Sequence, residues 1–465
     1  MHNINKVLII GLDCFEPSLV FEQWRDKLPT FSRLMSEGQY GRLESTIPAI
    51  TVPAWMTMMT SHNPGRLGFY GFRNRKDYSY DEMFFATSAA VKEDTVWRIL
   101  SRQNKKVVAL GVPQTYPPKP VNGSLVGCFL TPDTNTNFTY PRHLKDEIKE
   151  KVGEYIIDVK DFRTDDKDYL LDQIYKMSEN RFATADFLMK EKPWDFFMFV
   201  DMGPDRLHHG MWKYHDENHV NHVPNSPYKN AIRDYYIYLD KKIGELLENV
   251  NLDETAVFVV SDHGDKSMKG GFCFNDWLIK EGYLTLKEPV KTPHQLKNSE
   301  IDWTRTKVWG SGGYYGRLFL NVEGREPNGV IPQSKYESFR TELKDKLESV
   351  VDHEGNRMGN VAFRPQDVYS EVRGIAPDLI VYFGNLDWRS VGTIGNDSLY
   401  VFENDTGPDD ANHAQNGMYI YRGPGAVKPG TEIKRRIYDI APTTLQLLDV
   451  DIPSDMEGAS FFNAE

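Results

Sequence analysis

Three apolar runs of this 465-residue sequence end on acidic residues, and a histidine precedes a fourth. "KVLIIGLD" ends at Asp13, "DFFMFVDM" leads through Asp201 into "GPDRLHHG", and "TAVFVVSDHG" carries Asp262 and His263. His413 lies far downstream in "DDANHAQNGMYI". Ligands collect at the carboxyl ends of strands in open α/β sheets, so these side chains are placed to meet. Asp205 and His209 are four residues apart, which on a helix puts them on one face. Taken singly, an Asp after a strand is more often a cap or turn residue, and a lone His is usually structural. Together they are harder to dismiss. Mixed carboxylate and imidazole donors suit zinc, manganese or iron, whereas magnesium and calcium prefer oxygen alone. Five or six such donors from separate strands predict two ions rather than one.

A hydroxyl stands near this set. In "STIPAITVPAW", Thr51 falls at the apparent start of a helix. It is either an N-cap accepting backbone N–H bonds or a nucleophile held where a helix start favours an anion. The six residues "ITVPAW" do not decide between the two.

The elements that must position these groups read as an α/β protein. Buried strands are expected at 6–13, 106–112, 124–130, 195–202, 255–262 and 378–384, continuous in apolar character rather than alternating. Periodic helical segments at 167–192 and 227–250 fall between them. This alternation predicts a layered sandwich, a central mostly parallel sheet flanked by helices. One domain over residues 1–465 is expected, with cap-like insertions at about 73–165 and 266–375 that shape the substrate site. The second contains a hairpin-like segment "GGYYGRLFLNVEGREPNG" and a helix at 333–350.

Composition limits the function. A net charge of −12 argues against broad neutralisation of nucleic-acid phosphates, so no stable nucleic-acid binding is expected. Cys14, Cys128 and Cys273 are too scattered for a thiolate zinc site, and Cys14 reads as a packing residue at a strand end. A start that runs at once into a strand, with no apolar run of membrane-spanning length, predicts a cytoplasmic protein without membrane attachment. Oligomeric state is left open. His215, His219 and His222 in "YHDENHVNHVPN" read as a solvated loop, and His208 as a residue that orients a neighbour.

The ordered set "GLD…STIPAITVPAW…PDRLHH…SDHG…H" resembles the alkaline phosphatase superfamily and, within it, the type I phosphodiesterase/nucleotide pyrophosphatase family. The resemblance runs from Asp13 to His413. It implies a phosphoric ester hydrolase acting on a nucleotide-like or other small phosphodiester. One metal would be held by Asp205, His209 and His413, and the other by Asp13, Asp262, His263 and the Thr51 hydroxyl. The resemblance makes Thr51 the nucleophile, carrying a covalent phosphoryl intermediate, and zinc the first expectation, with manganese or iron as alternatives. Three aspartates against two divalent ions leave the centre at about +1, which suits an anionic phosphoryl group. The segment "TSHNPGRLGFYGF" resembles a family motif, with Gly68 matching its glycine and Leu67 replacing its histidine. The family's phosphate-binding asparagine falls at Phe72, followed by Arg73, so substrate contacts do not carry over. Phosphomonoesterase, phosphonate hydrolase or phosphomutase activity is the alternative within the superfamily. A non-catalytic binding protein is the reading from outside it.

Overall fold

The computed structural model describes residues 4–425 and 428–462. The apolar runs pair as the sequence suggests. Strands β1 (Lys6–Leu12), β2 (Gln39–Glu44), β3 (Val107–Leu110), β4 (Gly123–Val126), β5 (Phe196–Asp201), β6 (Thr255–Val260) and β7 (Asn416–Arg422) form one sheet in the order β2-β7-β6-β1-β5-β3-β4. Short strands at Thr431–Glu432, Arg435–Arg436 and Thr139–Tyr140 extend it. The five strands from β6 to β4 are parallel, and β7 runs against β6 and β2. Every residue of β3, β5 and β6 is buried, as expected where helices cover both faces.

Four helices matter for the site: α1 (Thr51–Thr60), α2 (Lys167–Glu191), α3 (Gly203–His215) and α4 (Ala231–Leu247). All ten residues of α1 are buried, and it lies so close to β1 that a Cβ on Gly11 would stand 2.6 Å from Trp55 Cη2. Glycine is required there by approach, not by a turn.

A second hydrophobic core gathers residues between Phe272 and Trp388. Its antiparallel sheet has the order Val308–Ser311, Gly316–Leu320, Leu379–Tyr382, Val361–Phe363. This corrects two details of the sequence reading. "DLIVYFG" belongs to this small sheet and not to the parallel one; an apolar run buried on both faces does not reveal which core buries it. The hairpin pairs Gly316–Leu320 backwards with Val308–Ser311, with Ser311 opposite Arg317. Within 73–165, β3 and β4 are part of the central sheet, while the ribbon of Arg73–Arg75 and Met83–Phe85 stands outside it. Strand β2, covered on its outer side by Thr431–Glu432 and Arg435–Arg436, carries no long apolar run and was not anticipated. No helix among the described residues is long and apolar enough to cross a membrane.

Candidate metal centre

Sheet register assembles the site. Leu12 of β1 lies opposite Asp201 of β5, and Gly11 opposite Val260 of β6, so Asp13 and Asp262 leave the sheet side by side. The chain after β5 turns into α3, where Asp205 and His209 share a face with Oδ1 and Nε2 3.4 Å apart. His413 arrives through a strand at Ala411–Ala414 that pairs with Gly264–Ser267 and sets Ala414 opposite Gly264. The His263 and His413 rings stack at 3.9 Å between centroids.

The three histidines are oriented in the same way. Nδ1 of His209 donates to Asp409 Oδ1 at 2.8 Å, that of His413 to the Ala49 carbonyl at 2.9 Å, and that of His263 to the Gly264 carbonyl at 3.1 Å. Each Nε2 is thereby left to face the centre, the arrangement typical of metal-binding imidazoles. Trp55 Nε1 donates to Asp13 Oδ2 at 2.6 Å and the Cys14 amide to Asp262 Oδ1 at 3.2 Å. Asp13 Oδ1, Asp262 Oδ2, His209 Nε2 and His413 Nε2 remain buried without a hydrogen-bond partner. Four such atoms in one place are costly for a protein that holds nothing there. Asp13, Asp262 and His263 bring their donor atoms within 4.8 Å of one another, which fits a divalent cation.

Thr51 is the first residue of α1, with Ile50 in the N-cap position. The cap reading therefore fails. Its Oγ1 lies 3.3 Å from His263 Nε2 instead. Pro53 is the third residue of the helix, where a missing N–H costs no intrahelical bond.

Electrostatics separate the carboxylates. Burial, and then repulsion from Asp205, pushes Asp13 well above the usual carboxylate range; burial and then Asp13 do the same to Asp262. Burial also opposes charge on Asp205, but His209 and Arg206 overcome it and hold Asp205 well below that range. Burial pushes His263 down to about 4 and His413 well down, so both are neutral near pH 7. Burial disfavours the charged form of His209 as well, yet Asp409, Tyr314 and Asp205 raise it well above the ordinary value.

Several residues of the site escaped the sequence reading. Asp409 is one: it accepts from His209, from Arg389 Nη1 at 3.0 Å and from Arg163 Nε at 3.2 Å. Its place four residues before His413 was the available signal. Cys14 is another. Its sulfur can come within 4.8 Å of ligand atoms of Asp205, His263 and His413. Burial and the surrounding carboxylates, Asp265 first among them, push the thiol well above its ordinary value and keep it protonated, a packing group after all. Tyr314 packs on His413 at 4.2 Å and on His209 at 4.8 Å. His208 faces away from the centre, 3.0 Å from the Tyr236 hydroxyl and 3.3 Å from Asp265 Oδ2. His219 and His222 bond the backbone carbonyls of Asp410 and Lys213, and with His215 they make no metal cluster among the described residues.

The centre lies at the carboxyl edge of the parallel sheet with a cavity of about 690 Å³ before it, and the family whose model matches the chain is one of phosphoric ester hydrolases. The chain belongs to the type I phosphodiesterase/nucleotide pyrophosphatase family, whose model matches residues 7–409. That family depends on divalent metals. No curated protein sequence matches the chain. Among solved structures, human ectonucleotide pyrophosphatase/phosphodiesterase 5 is similar over 98% of each chain, with a TM-score of 0.57 at 13% identity. The murine protein, solved as an inactive threonine-to-alanine variant in complex with AMP, gives a TM-score of 0.57 at 13% identity over 99% of this chain and 98% of that one.

Proposed function

We propose that this protein hydrolyses small phosphodiesters, nucleotide-like ones included, with Thr51 as nucleophile at a centre for two divalent ions. The observation that carries the proposal is the set of four unpartnered, buried ligand atoms gathered beside a hydroxyl that caps nothing. Asp205, His209 and His413 would hold one ion, and Asp13, Asp262, His263 and the Thr51 hydroxyl the other. Bound there, zinc, or manganese or iron in its place, supplies the positive charge that acidifies a hydroxyl and neutralises phosphoryl oxygen.

The chain's own groups do the rest. The start of α1 fixes Thr51, with the Ala54 amide bonded to the Ile50 carbonyl at 3.0 Å and the Ala49 amide to the Tyr382 hydroxyl at 2.9 Å. Thr51 Oγ1 attacks phosphorus and loses its proton to solvent, while the bond from phosphorus to the leaving oxygen breaks and that oxygen takes up a proton. Water then cleaves the Thr51 phosphoester and restores the hydroxyl. Asp409 holds His209 in one tautomer, and Trp55 holds Asp13, so the centre is set before substrate arrives. The murine neighbour is inactive when a threonine is replaced by alanine, and it binds AMP. Both facts about that protein support a threonine nucleophile and a nucleotide-like substrate here.

The test is a paired assay. Chelated protein reloaded with Zn²⁺ or Mn²⁺ is given bis(p-nitrophenyl) phosphate and p-nitrophenyl phosphate. Faster cleavage of the diester is expected. Preference for the monoester would move the protein to the phosphomonoesterases, and inertness toward both with every metal would overturn hydrolysis altogether.

A further inference from the structure

Six arginines line the cavity in front of Thr51: Arg73, Arg75, Arg163, Arg206, Arg317 and Arg389. Four are neutralised by the fold. Arg75 meets Glu326 at 3.1 Å, Arg163 and Arg389 share Asp409, and Arg206 pairs with Asp158 at 2.7 Å and with Asp205. Arg73 and Arg317 differ. Neither has a carboxylate within 4.0 Å among the described residues.

These two stand together on the wall formed by the outer segments. Arg73 begins the ribbon strand Arg73–Arg75 and lies over the Phe85 ring at 5.0 Å. Arg317 sits in Gly316–Leu320, and its Nη1 donates to the Arg73 carbonyl, tying the two segments together. Arg73 is exposed and Arg317 half-buried. The carboxylate of Asp81, on the same wall, is engaged by Asn298 Nδ2 at 2.7 Å. Both charges line the same cavity without a carboxylate partner, and in a protein of net charge −12 such a partner would be easy to supply. The pair makes sense as a receiver for an anion from outside, since guanidinium groups bind phosphate in a planar, bidentate fashion.

We propose that Arg73 and Arg317 form a subsite for a second phosphate on the substrate, remote from the phosphorus that is cleaved. Two unneutralised cations match a terminal phosphate monoester dianion better than a carboxylate. The preferred diester is thus one whose retained arm ends in phosphate. This rests on the diesterase reading above and adds the substrate's charge to it.

The test compares two p-nitrophenyl esters of thymidine 5′-phosphate, one with a 3′-hydroxyl and one with a 3′-phosphate, on the zinc-loaded protein. The 3′-phosphorylated ester is expected to show kcat/KM about tenfold higher or more, mainly through KM, with the advantage shrinking as salt rises. In Arg73→Met/Arg317→Met the ratio between the two substrates should fall toward one, and in Arg73→Lys part of it should return. Equal kcat/KM in the parent protein, or an undiminished ratio in the double variant, would overturn the subsite. If neither ester is cleaved, the diesterase reading is what has failed. Calorimetric titration with thymidine 3′,5′-bisphosphate against thymidine 5′-phosphate then decides the subsite alone: tighter binding of the bisphosphate, lost in the double variant, supports it, and equal binding overturns it.

Discussion

On the sheet side of the cavity, Asp13, Asp262, His263 and His413 are buried and lie within three residues of a central strand. On the opposite side, Arg73, Tyr314 and Arg317 come from short antiparallel segments around a second core. The sheet side is fixed by backbone register, so residue type and distance from a strand end suffice to place a donor atom. The outer side is fixed by which side chains meet across inserted segments, and that depends on packing between distant parts of the chain. The first arrangement suits chemistry that tolerates little displacement, and the second suits selection of what the chemistry acts on.

Substitutions on the sheet side should therefore strike catalysis hardest. Thr51→Ala is expected to lower kcat on the order of 10³-fold or more while circular dichroism and metal content stay near the parent's. His413→Ala should follow, with one of two metal equivalents lost by elemental analysis and activity down by at least about 10²-fold. Its retention of both metals would remove His413 from the ligand set. Asp409→Asn reaches the same centre at one remove. It keeps shape but weakens the hold on His209, and should cost about 10- to 100-fold in metal affinity, measured by competition with a chromophoric chelator.

The smallest effect is a proton count. Burial, with repulsion from Asp205 on Asp13 and from Asp13 on Asp262, raises both carboxyls, and Asp409 raises His209, so a cation bound there competes with protons. His263, at about 4, is already bare at neutral pH and releases none. Zinc titration at pH 7 in two buffers of different ionisation enthalpy should show net proton release, and apparent affinity should rise with pH. Affinity that falls with rising pH would contradict the assignment.

What the sequence revealed follows the same division. The candidate ligands were legible because they stand at or shortly after recognisable apolar runs, and the helices over 167–191 and 231–247 because their periodicity is long. The role of Asp409 was hidden, since nothing local says that its carboxylate turns back toward α3. "DLIVYFG" was assigned to the wrong sheet for the same reason: an apolar run announces burial but not its partner. The β2 strand "QYGRLE" was missed because Gln39, Gly41, Arg42 and Glu44 leave it no apolar run to read.

The most direct measurement is the stereochemical course at phosphorus. A diester made chiral with sulfur and an oxygen isotope would be cleaved in water of a third isotopic label, and the configuration of the product read by phosphorus NMR. Attack by Thr51 followed by attack of water makes two in-line displacements, and the account predicts net retention. Net inversion would mean that water strikes the substrate directly, and would contradict Thr51 as the nucleophile.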